Sequence, residues 1–261
     1  MQHLIQTIFQ RSPELAILGV IHFIAFAIFG TLSLLDNRIL LGVNVWIKPM
    51  KFAVSIAIYA WTMSWLLGYL PDSTTKSSVV WTIILTMAIE VLCIAGQAAR
   101  GLQSHFNVQT AMDGAIFATM GLAIGINTVA VGVVVWLFFQ QLPTPLAPAY
   151  LWAIRLGLMI FIVASLQGYL MGGRLQHAVG APDGTLGLPF LNWSRSVGDL
   201  RVAHFIGLHA IQILPLLGFF ASQHLSSQSA VVAVVVLTAV YGALCVVALL
   251  QALSGLPLLK L

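Results

Sequence analysis

Glu90 sits inside an apolar run, Val79 to Ala99, that contains no other charge and no proline. At about 1.5 Å rise per residue, this run is long enough to cross a ~30 Å hydrocarbon core as a helix. A carboxylate at that depth costs about 3 kcal/mol on insertion scales unless it is protonated, paired or bound to a cation, so it marks a functional site by default. Two histidines on other apolar runs reach a comparable depth. His22 lies thirteen residues from Leu35, about 20 Å in; Glu90 lies ten from Arg100 and His209 ten from Asp199, about 15 Å each. Asn127 and Gln212 lie a little further along. Two imidazoles and a carboxylate can hold a catalytic metal ion with one position open, which makes His22, Glu90 and His209 candidate metal ligands. Histidines on separate helices can also ligate haem iron. On that reading His22, His204 and His209 are candidate axial ligands, and Arg201 and Lys51 offset the propionates. No CxxCH motif is present, so any haem would be held without a covalent link.

A second tier of polar residues falls nearer the ends of the same runs. It comprises Lys48 and Lys51 in WIKPMKF, Arg100, His105 and Asn107 in ARGLQSHFN, and Asp199, Arg201 and His204 in GDLRVAHFIGLH. Glu90, Cys93, Gln97 and Arg100 fall on one helical stripe at three- and four-residue steps, a polar track from the bilayer centre to its rim. Glu90, Arg100 and His105 are therefore the candidate catalytic or proton-handling residues. Arg201 and His204 share a face. His204 and His209, five residues apart, point about 140° away from each other on a regular helix and cannot chelate one ion together.

The elements that must position these groups follow from composition. The 261 residues are 60% hydrophobic and 7% charged, with a mean hydropathy of +1.00. Soluble domains carry about a quarter charged residues, so the chain reads as a membrane protein. Apolar runs of about twenty residues give seven spans: Leu15–Leu35, Met50–Leu70, Val79–Ala99, Gly114–Phe139, Tyr150–Met171, Leu200–Phe220 and Ala230–Leu253. Helix breakers separate them, among them Asp36-Asn37, Pro71-Asp72, the Pro143/Pro145/Pro148 cluster and Ser226-Ser227. Arg11 and Glu14 precede a run longer than a signal peptide's apolar core, so the first span is expected to be retained. Small residues at Gly114, Ala118, Gly121, Gly125 and Gly132, and again at Gly168 and Gly172, suit close helix packing. Cys93 and Cys245, the only cysteines, fall within spans and give no disulfide framework.

Eight basic residues, Arg38, Lys48, Lys51, Arg100, Arg174, Arg195, Arg201 and Lys260, fall on one side, against Arg11, Lys76 and Arg155 on the other. The positive-inside rule then sets the N-terminus outside and the C-terminus in the cytoplasm. The expected architecture is all-α, a polytopic transmembrane helix bundle of seven spans in a bacterial cytoplasmic membrane, forming one integral membrane domain over residues 1–261. Residues 172–198 form its longest connection, a cytoplasmic loop of lid length with a Pro182-Asp183-Gly184 turn and with Arg174, His177, Trp193 and Arg195 on one side.

The first functional reading is a membrane redox protein that binds haem b or a transition metal through intramembrane histidines, with quinone as a partner beside the lipid bilayer. The alternatives are a proton-coupled transporter or channel for a small anion, with Glu90 carrying the proton, and an intramembrane metal-dependent hydrolase. P-loop, GxSxG, HExxH and nucleic-acid-binding signatures are absent. The last span has no lysine for a retinal Schiff base.

Overall fold

The computed structural model describes residues 2–140 and 145–259. Pro143 and Lys260 lie outside the described residues. Six helices are long and apolar enough to cross a membrane: α2 (Pro13–Leu35), α3 (Ile47–Leu67), α4 (Thr74–Ala99), α5 (Ala111–Phe138), α6 (Pro148–Arg174) and α9 (Ser227–Leu253). A seventh span is counted if α7 (Arg201–Leu208) and α8 (Ala210–His224), bent by 42° at His209, are taken as one. All seven apolar runs are therefore helical. Their outward faces carry Ile, Leu, Val, Phe and Trp side chains, which suits contact with acyl chains.

Two features depart from the expected pattern. A further helix, α1 (Gln2–Arg11), precedes the first span; Ile8 is buried while Leu4 and Ile5 are exposed. Arg11 anchors it by donating to the Trp65 carbonyl (2.6 Å) and stacking over the Trp65 and Tyr69 rings at 4.0 and 4.1 Å. The second departure is the break at His209, where a regular sixth span was expected. Pro215 inside α8 cannot donate to the Ile211 carbonyl, which weakens the ladder about a turn beyond the break.

Contacts divide the chain into two compact units, Met1–Ala130 and Val131–Leu261, the division falling within α5. In the first unit, α3 packs along α2 and beside α4, with α1 against the α2 and α3 ends. A two-residue hairpin, β1 (Ile39–Leu40) with β2 (Val43–Asn44), joins α2 to α3. Leu41 and Gly42 at its tip have φ of 50° and 79°, as a type I′ turn requires. Asp36 secures this rim: it pairs with Arg38 at 2.6 Å and accepts from Trp46 Nε1 at 2.8 Å, while Arg38 reaches the Ala99 carbonyl at the end of α4. The hydrogen bonds from Arg38 and then Trp46 hold the Asp36 carboxyl far below the usual carboxylate range.

In the second unit α6 is the central helix, packed on α7, α8 and α9. The expected long loop is an ordered strap in which β3 (Ala178–Val179) pairs antiparallel with β4 (Gly198–Asp199). Gly157 of α6 faces the broken span, and a Cβ there would lie 2.8 Å from the Ala210 carbonyl oxygen. Gly157→Val should therefore destabilise the protein by about 1–3 kcal/mol, read as a lower thermal midpoint in detergent. Gly242→Ala is the control: an added Cβ meets nothing within 4 Å, and the midpoint should stay put.

Candidate functional site

The polar centre of the first unit is built by the chain that leaves α4. Arg100 caps the helix, Gly101 turns with φ of 74°, and the Gly101 and Leu102 amides donate back to the Ala98 and Gln97 carbonyls, at 2.9 Å each. This is a Schellman closure, which only a left-handed residue at Gly101 allows. The connection then doubles back along α4. Glu90 lies about 15 Å before Arg100 along the axis, yet His105, five residues beyond Arg100, brings Nε2 to 3.4 Å from Glu90 Oε1. The two were expected in separate tiers, His105 at the rim and Glu90 at the bilayer centre. That expectation is corrected: residues 101–110 fold back along α4 and bring His105 level with Glu90, with Ser104 and Asn107 buried alongside.

Glu90 is 2% exposed, and its Oε2 has no hydrogen-bond partner among the described residues. At 3.4 Å the two groups need to approach by only a few tenths of an ångström to form a good hydrogen bond. On its other side, His105 Nδ1 lies 3.2 Å from Ser104 Oγ. The rings of Phe52, Phe106 and Phe117 surround the imidazole at 5.7, 6.0 and 6.2 Å. Burial among these rings, together with the charge on Lys48, depresses the His105 pKa despite the opposing pull of Glu90.

Below this pair, the stripe read from the sequence buries Glu90 and Gln97, leaves Cys93 half-buried and ends at exposed Arg100. Gln97 is buried and donates to Asp113 Oδ1 at 2.9 Å, and Arg100 donates to the same oxygen at 2.8 Å. Asp113 Oδ2 accepts from Thr110 Oγ1 at 2.7 Å, and the Asp113 amide donates back to Thr110 Oγ1 at 3.1 Å. Toward the far end of the unit, Tyr59 donates to buried Asn127 at 3.1 Å. His22, also buried, has Nδ1 on the Leu18 carbonyl at 2.8 Å, while Nε2 has no hydrogen-bond partner among the described residues. Lys51 is half-buried near the start of α3, on the turn after Lys48.

The remaining sequence-predicted residues belong to the second unit. His204 Nδ1 lies 2.7 Å from the Ala164 carbonyl of α6, in space left by Gly168. His209 stands at the break, its Nδ1 on the Phe205 carbonyl at 2.7 Å and its ring against Phe205. Arg201 pairs with buried Asp199 at 2.6 Å and also holds the Asn192 carbonyl. His177 lies between two carboxylates, Asp183 at 3.4 Å and Asp199 at 3.5 Å. Burial works to raise the Asp199 pKa, but Arg201 and His177 outweigh it and keep the carboxyl well below its ordinary range. Among the described residues, no group of three His, Cys, Asp or Glu side chains is placed to hold a metal ion.

The structure thus unites Glu90 with His105, while Arg100 joins Gln97 and Asp113 at the end of the same helix. His22 lies in the first unit, and Arg201, His204 and His209 in the second. Sequence reasoning missed Asp113 and Tyr59. Thr110-x-x-Asp113 is a capping-box spacing at the start of α5, a legible signal; Tyr59 had none. No family model matches the chain, and no curated protein or solved structure is significantly similar to it.

Because the fold depresses the His105 pKa, the unfolded chain binds the proton more readily. His105 therefore costs no stability above its unfolded value near pH 6.5 and subtracts stability as pH falls through that value toward the folded one. The thermal midpoint should decline from pH 7.5 to 5.5, and His105→Gln should flatten that decline. Asp36 and Asp199, both depressed, act only below their ordinary value of 3.8 and do not contribute in this window.

Proposed function

We propose that this chain is a proton-coupled membrane carrier for a small anion, with Glu90 and His105 as its proton-exchanging pair. One observation carries the reading: a carboxyl buried in an apolar helix, with one oxygen toward an imidazole delivered by a re-entrant segment and the other unbonded. A carboxyl and an imidazole 3.4 Å apart can pass a proton between them with little movement of heavy atoms. An arrangement that served packing alone would be better met by apolar residues of similar volume. Lys48 and Lys51, near the start of α3, give the same end a positive field that attracts anions. With the orientation implied by the basic residues, the pair exchanges its proton with the cytoplasmic side.

The test is reconstitution into vesicles loaded with a pH-sensitive dye, with chloride or phosphate gradients imposed. Wild-type protein should give anion-dependent proton flux, and Glu90→Gln should fall to the level of empty vesicles. Wild-type flux in Glu90→Gln, or no flux with either anion in wild type, would remove the reading.

A second reading, a redox protein with haem b or a transition metal, draws on His22. Its Nδ1 is fixed on a backbone carbonyl while buried Nε2 is unbonded, the disposition that orients an imidazole as a ligand. Bound haem would supply one-electron chemistry. Purified protein should then show a Soret band that His22→Ala abolishes; a colourless preparation without transition metal by elemental analysis counts against it.

A further inference from the structure

We infer that Asp113 is the positioning residue that holds His105 on Glu90. The inference rests on the Glu90–His105 pair being the working centre and extends it to a residue that touches neither group. The segment that carries His105 has no strand or helix of its own between Ala99 and Ala111. It contains two left-handed residues, Gly101 at φ 74° and Phe106 at φ 64°, the second a bulky residue in a conformation such residues rarely adopt. A strained, irregular segment lying against a membrane-buried carboxyl must be fixed by side chains, and those side chains converge on Asp113.

The carboxylate of Asp113, 3% exposed, accepts from three donors on both sides of the segment. Gln97 and Arg100 reach Oδ1 from the end of α4, and Thr110 reaches Oδ2 from the end of the segment itself. Gln97 also donates to the Gln103 carbonyl at 3.3 Å, and Asn107 to the same oxygen at 3.2 Å. The chain from Asp113 through Gln97 to Gln103 therefore ends two residues before His105. Releasing Asp113 frees Gln97 and Thr110 together, while the Schellman closure at Gly101 and the α4 ladder remain. The segment would then pivot about Gly101, withdrawing His105 and opening the unbonded Glu90 oxygen to water.

The test uses the purified full chain in detergent micelles and two readouts. The first is labelling of Glu90 by dicyclohexylcarbodiimide, which attacks protonated carboxyls in apolar surroundings, followed by peptide mass spectrometry from pH 5 to 8. The second is amide hydrogen exchange. Asp113→Ala should move the Glu90 labelling profile onto that of His105→Ala, and the double variant should coincide with both, as expected for residues acting through one contact. Exchange in residues 103–109 should rise at least about tenfold, with α2 and α3 and the Leu102 amide of the Schellman closure unchanged. Asp113→Asn, which still accepts from Gln97, should give an intermediate profile. Where Asp113→Ala does not fold, Gln97→Leu cuts the same chain one step later and carries the same expectation.

A wild-type profile in Asp113→Ala overturns the inference, as do additive shifts in the double variant or exchange that rises equally through α2, α3 and α4. A His105→Ala profile identical to wild type overturns it together with the pair. Absent proton flux in vesicles, with the labelling coupling intact, sinks the carrier reading alone and leaves the positioning role standing.

Discussion

A carboxyl placed deep in an apolar helix obliges the rest of the chain to bring polar groups to it, and much of the first unit can be understood from that demand. Glu90 cannot be solvated by lipid, and of its buried neighbours one turn away on α4, Met87 and Ile94 are apolar and Thr86 gives its hydroxyl hydrogen to the Thr82 carbonyl. The partner comes from a connection that would ordinarily stay at the surface. Backbone inside a bilayer is tolerated outside helices only where it is buried in protein. Ser104 and Asn107 meet that condition, with their polar side chains turned to His105, Gln103 and Gln109.

The rim structures make that re-entry sustainable. Arg100 and Gln97 close the end of α4 onto Asp113, and Arg38 ties the same end to the hairpin after α2. Each uses a guanidinium or amide that can donate in more than one direction, which suits a place where several backbone ends meet. The second unit solves a similar problem in its own way. There Asp199 gathers Arg201, the Ser194 amide and His177, and the strap from α6 to α7 closes as a short strand pair.

The spans were legible because lipid imposes a length and a composition that few soluble helices share. The inward stripe Glu90–Gln97–Arg100 was legible for a related reason, since helical periodicity carries over directly from sequence. The depth of His105 is not legible, since a connection is expected to leave the end of its helix and nothing in SHFN marks a chain that turns back. The helix α1 gives no span signal, because its ten residues are too few and carry Gln2, Gln6 and Gln10 one turn apart. Pro215 was visible, yet a proline leaves open where a helix will bend. The break falls at His209, where Gly157 lets the Ala210 carbonyl approach α6. Which histidines meet which partners depends on such local departures from regularity, and those leave little trace in residue order.

The lengths of the helices have a consequence of their own. α9 runs for 27 residues and α5 for 28, about 40 Å each, whereas α3 has 21 residues, close to a ~30 Å hydrocarbon core. Hydrophobic mismatch of this kind is relieved by tilting the longer helices or thickening the surrounding bilayer. α9 presents valine and leucine around most of its girth, so it meets that mismatch directly, as a surface for annular lipid. Acyl-chain length thereby becomes a variable to which this helix responds through its tilt.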